Sequence, residues 1–159
     1  MLRILIAAVG GVVFASAALA QTMAMHAAPP EAFKYMTAKE VTALTDKPGP
    51  GSKTDIVSDH ENYFVEYVTR SDAGNVVEVH AHWTDYFQIL SGEATLTYGG
   101  TVADAKESGP GEIRGGSIVN GKTQAVHAGD YLQIPPGTPH ILVPPAGGKI
   151  SYVVFKGRL

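Results

Sequence analysis

The chain of 159 residues contains no cysteine. That excludes disulfides, thiolate metal ligands, iron–sulfur clusters and a cysteine nucleophile, and leaves packing alone to hold the fold. Positive charge is scarce as well: 12 lysines and arginines stand against 15 acidic residues, with no basic run. Nucleic acid and anionic membrane surfaces are poor partners for such a chain. Internal repeats and low-complexity tracts are missing, and nothing suggests a second domain. The one long apolar run lies at the very start.

Arg3 supplies a positive charge, residues 4–14 form the apolar run, and Ala18, Leu19 and Ala20 give the small-x-small pattern of a cleavage site. Residues 1–20 therefore read as a signal peptide cut after Ala20. The run is too short, and lacks the flank, for a membrane anchor. The product is expected in the periplasm or secreted, with no membrane association after cleavage. Residues 21–60 read as a flexible leader and N-terminal arm. Met23, Met25 and His26 in the leader are a weak copper-like pattern beside the plainer reading of an unstructured tail. Within the arm, Thr37 followed three residues later by Glu40 predicts one short capped helix.

From residue 61 to 159 the pattern is that of one β domain. Segments 62–70, 76–83, 86–90, 94–98, 112–119, 123–127, 131–134, 141–143 and 150–156 are rich in β-branched and aromatic residues and separated by turn residues. Asn120 and Gly121 predict a hairpin turn, and the glycine-rich stretch 99–111 an excursion between strands. Many short strands at close spacing signal a sandwich or barrel.

Two segments carry chemistry. His80 and His82 are spaced i, i+2, so on a strand their imidazoles converge on one side. Much later, Pro135, Pro136 and Gly137 force a tight turn just before His140. A closed sheet would bring that third imidazole to the pair. Nearby stands Asp85, which either ligates a metal, holds a ligand histidine, or caps a turn. By the same parity Glu78 shares the face of the histidines and is the best candidate for an acid–base group that is not a ligand. Glu112 to Arg114, with the glycines that follow, reads as a hairpin edge or as an anion site through Arg114. His60 and His127 read as ordinary polar residues, and Trp83, Tyr86, Phe87 and Tyr98 as core or pocket aromatics.

Taken together, the two segments resemble the cupins. In the first cupin motif a His-x-His pair leads to a glutamate, six further residues and a glycine. Here His80 and His82 lead to Asp85, and six residues separate Asp85 from Gly92. In the second motif Gly129, Pro135, Gly137 and His140 fall in register, with Pro144 where the pattern has asparagine. The resemblance covers about residues 74–156. It implies an all-β, cupin-type double-stranded β-helix (jelly-roll barrel) with a short N-terminal helix. It also implies one divalent metal ion, iron, manganese or zinc, held by His80, His82, Asp85 and His140. Three neutral imidazoles, one carboxylate and a divalent ion would sum to about +1, which favours anionic ligands.

The function implied is that of an exported, metal-binding cupin. An enzyme of dioxygenase, isomerase or decarboxylase type, acting on a small carbonyl, carboxylate or phenolic compound, is one reading. A non-catalytic periplasmic module that binds a small molecule or a metal is the other, because a fold does not fix a function. Analogy with small family members adds a homodimer formed through the N-terminal arm.

Overall fold

The computed structural model describes residues 32–47 and 49–158. The expected signal peptide, and the leader with Met23, Met25 and His26, lie outside the described residues. The chain divides after Tyr35, and residues 32–35 carry no helix or strand. All regular structure described belongs to the unit that begins at Met36.

Helix α1 (Ala38–Thr45) forms where the capping pattern places it. Glu40 donates its backbone N–H to the Thr37 hydroxyl, and the Thr37 N–H donates to the Glu40 carboxylate at 2.7 Å. At its other end, the free carbonyl of Thr45 accepts from the buried hydroxyls of Thr69 and Ser151. Those bonds seat the helix terminus on the sheet. The next element, β1 (Ser52–Asp59), pairs antiparallel with β2 (Tyr63–Ser71). Part of the N-terminal arm is therefore sheet.

Ten strands form one curled surface with two faces. The first face runs β1, β2, β12 (Lys149–Arg158), the first half of β4 (Trp83–Tyr98), then β10 (Tyr131–Ile134). The second runs β9 (Lys122–His127), the second half of β4, β11 (His140–Val143), β3 (Glu78–His80), β7 (Glu112–Arg114) and β6 (Glu107–Gly109). A separate ribbon pairs β5 (Thr101–Ala103) with β8 (Ser117–Val119).

The sequence pattern predicts two strands over 86–90 and 94–98; the structure has one long strand that crosses between faces. Gly92 makes the crossing possible. Its φ is +75°, and a Cβ there would lie 2.0 Å from the carbonyl oxygen of Lys149. The segment 112–119 does the reverse and breaks into β7 and β8. No hairpin forms at Asn120 and Gly121, because β8 pairs with β5 whereas β9 pairs with β4.

Register stacks the interior of the first face into rows. Val68, Tyr152 and Ile89 are cross-strand partners, as are Glu66, Val154, Phe87 and Leu132. The last row holds Phe64, Lys156, Asp85 and Ile134. The lower rows form the core, where Phe87 and Tyr152 meet edge to face at 5.0 Å. The last row is polar at its centre, and it looks across at the histidines.

Candidate metal centre

Register also builds the facing wall. His140 of β11 pairs with Glu78 of β3, and β3 pairs in turn with β7 so that Glu78 opposes Arg114 and His80 opposes Glu112. Glu78 and His80, two residues apart on one strand, show their side chains to the same side. Glu78, His80 and His140 offer ligand atoms that all lie within 4.8 Å of one another, and all three residues are buried. From the first face, the Asp85 carboxylate comes within 3.6 Å of Nε2 of both histidines. Asp85 is only 1% exposed.

Each imidazole is oriented through its other nitrogen. His80 donates Nδ1–H to the Glu112 carboxylate at 2.5 Å, and His140 donates Nδ1–H to the carbonyl of Thr138 at 3.0 Å. Both protons being held there, both Nε2 lone pairs face the cluster, the tautomer that a metal ion needs. Nε2 of His140 has no hydrogen-bond partner, nor has Oδ1 of Asp85, while Oδ2 of Asp85 meets the ammonium of Lys156 at 3.1 Å. Buried polar atoms are seldom left so, and orphans that converge mark a place for a cation. The donor set of imidazole nitrogen and carboxylate oxygen suits iron, manganese or zinc.

Glu78 is clamped from behind. Arg70 and Arg114 both donate to its Oε1, at 2.9 and 2.8 Å, while Oε2 faces His80 at 3.6 Å. Arg70 is fixed in turn by a 2.7 Å bond from Nε to the hydroxyl of Tyr152. Burial raises the proton affinity of Glu78, but His80 and the two guanidiniums more than offset it and hold the carboxyl far below its ordinary range. That direction opposes the acid–base role expected of Glu78 and suits a permanently charged ligand. Burial of Glu66, by contrast, raises its carboxyl pKa, and burial of Tyr152 lifts its phenol to about 12. His140 is lowered by burial. For His80, burial pulls down, but the carboxylates of Glu78, Asp85 and Glu112 leave it raised on balance.

Of the residues expected to hold a metal, the structure brings together His80, His140 and Asp85, and adds Glu78. His82 is not among them. β3 ends at His80, because the His80 carbonyl accepts from Gly137 N–H and the Ala81 N–H donates to Gly111. The chain bends there, alternation stops, and the exposed His82 ring lies beside Gly111. The charge expected at the site changes with it. Two neutral imidazoles and two carboxylates leave a divalent ion at about zero rather than about +1.

One residue that the sequence reading passed over sits inside the cluster. Lys156 of β12 is 5% exposed, with Nζ 2.9 Å from Nε2 of His80 and 3.1 Å from Oδ2 of Asp85. Its signal was present: Tyr152, Val154 and Lys156 fall on the inward parity of one strand. Glu112 and Arg114 lie in a hairpin with β6 at the edge of the sheet, as the sequence pattern predicts, and the register also sets them opposite His80 and Glu78.

An apolar cavity of about 440 Å³ lies between β9, β10 and the second half of β4, lined by residues that include Leu96, Tyr98, Leu132, Ile134 and Thr138. It adjoins the centre through Thr138, whose carbonyl orients His140, and Ile134, the strand partner of Asp85.

The sequence matches no family model and no curated protein. In three dimensions the chain is similar to a conserved protein with a double-stranded β-helix domain from Klebsiella pneumoniae. The two share 17% identity over 80% of this chain and 91% of that one, at a TM-score of 0.57. A cupin superfamily protein from Desulfitobacterium hafniense matches with a TM-score of 0.52 and 14% identity, over 74% of this chain and 86% of its own. KdgF from a Halomonas species matches with a TM-score of 0.50 and 12% identity, over 72% and 86%. The fold is the double-stranded β-helix of the cupins.

Proposed function

We propose that this cupin-fold chain holds one divalent metal ion on Glu78, His80 and His140, with Asp85 facing them, and acts as a metal-dependent enzyme on a small carbonyl, carboxylate or phenolic compound. The observation that carries the reading is the pair of imidazoles whose Nδ1 protons are both engaged, turning two Nε2 lone pairs toward two buried carboxylates. A bound ion of this kind supplies Lewis acidity, and in the case of iron or manganese access to dioxygen chemistry. The protein's own contribution is rigidity: Glu112, Thr138 and the Arg70–Arg114 clamp hold three donors from the second face in fixed directions. The apolar cavity lined by Leu96, Tyr98, Leu132 and Thr138 has the size of a small-molecule site. Export to the periplasm and assembly as a homodimer belong to the same proposal and rest on the sequence alone.

Titration of the chelator-stripped protein with zinc and manganese, followed by calorimetry, tests the metal. One ion per chain is expected, lost in His140→Ala. Turnover is then sought with the loaded protein on a panel of small carboxylates, dicarbonyl compounds and phenols. Stoichiometric metal with no compound consumed would favour the non-catalytic reading, and no bound metal would overturn the metal-dependent enzyme.

A further inference from the structure

We propose that Lys156 is a tethered competitor for the metal, its ammonium occupying the His80 lone pair in the metal-free protein so that an ion binds only by displacing it. The inference rests on the metal reading above and adds how that site is regulated. An imidazole Nε2 has one lone pair. With Nζ at 2.9 Å, the lone pair accepts from the ammonium, and it cannot at the same time ligate an ion at the usual distance of about 2.0–2.1 Å.

Lys156 has somewhere else to go. Asp85 Oδ2 is already 3.1 Å from Nζ, and the Phe64 ring centroid lies 5.8 Å away. Displacement is therefore a short swing within one pocket, from imidazole to carboxylate and aromatic face, and needs no passage of a charge into water. The device also explains how a buried cluster of carboxylates and imidazoles persists before metal arrives: the ammonium answers part of their charge. It sets a threshold as well. Ions that bind nitrogen weakly, such as magnesium, fail to displace an ammonium, whereas zinc succeeds.

The test is calorimetric titration of the chelator-stripped protein with zinc, for the parent, Lys156→Met and Arg158→Met. Arg158 is exposed on the same strand, its guanidinium over the Trp83 ring, and it controls for the loss of one positive charge. Lys156→Met is expected to bind zinc about ten- to a hundredfold more tightly than the parent. Arg158→Met should stay within about twofold. Lys156→Met should also melt lower than the parent in chelator and gain more from zinc. If that variant does not fold, Lys156→Gln, which keeps a donor for Asp85, is measured in its place. Equal or weaker binding by the lysine variant, or equal tightening in Arg158→Met, overturns this proposal alone. Failure of every variant and of the parent to bind zinc overturns the metal reading and this proposal with it.

Discussion

Lys156 and Asp85 are direct partners across β12 and β4, and their side chains meet at 3.1 Å in the interior, both at most 5% exposed. A buried pair of this kind is costly to break from one side. In chelator, Lys156→Met alone or Asp85→Leu alone should each lower unfolding stability by roughly 3 kcal/mol or more. The double variant should lose less than the two single losses combined, because no charge is then left unanswered. Urea denaturation of the four proteins measures the coupling, and additive losses would contradict it.

His82 lies outside the cluster although it is half of the His-x-His pattern. His82→Ala should leave zinc affinity within about twofold, while His80→Ala and His140→Ala should each lower it by about a hundredfold or more. Competition with a colorimetric chelator reads all three. A large loss in His82→Ala would mean that the bend after β3 straightens when metal binds.

Glu112 lies behind His80, accepts from its Nδ1–H, and would not itself hold the ion. Glu112→Gln should therefore cost about ten- to a hundredfold in metal affinity, with the number of ions bound unchanged. Loss of a whole binding equivalent would make Glu112 a ligand.

Much of this was legible in the chain. The capping box at Thr37 and Glu40 became α1, and the alternation of 85, 87 and 89 and of 152, 154 and 156 became the interior rows. What strand periodicity could not show was where a strand stops. The alternation of His80 and His82 presumes an extended backbone, and the backbone bends because Gly111 and Gly137, distant in sequence, take the hydrogen bonds of Ala81 and His80. Gly92 hid the opposite case, a residue read as a break that lets one strand continue from one face to the other. Lys156 was passed over because a lysine is normally exposed, and only the row it shares with Asp85 shows why this one is inside.

Protons compete with the metal for His80. Its folded proton affinity lies above the ordinary imidazole value, with burial opposing and the carboxylates of Glu78, Asp85 and Glu112 prevailing. A raised pKa means that the proton is held to higher pH, so competition begins above about pH 6.5. Zinc affinity should fall steadily from pH 8 to about pH 6, with proton release on binding that grows as the pH is lowered over that range. Calorimetry in buffers of different ionisation enthalpy counts the protons, and an affinity that is flat over this range would contradict a histidine-ligated ion.

The most direct measurement is anomalous diffraction from crystals of the protein loaded with zinc, recorded on both sides of the zinc edge. The account predicts one strong peak per chain, at about 2.0–2.2 Å from Nε2 of His80, Nε2 of His140 and a carboxylate oxygen of Glu78, with the Lys156 ammonium moved off His80. A peak on His82 or His60, or an ammonium still seated on His80 with zinc elsewhere, would contradict it.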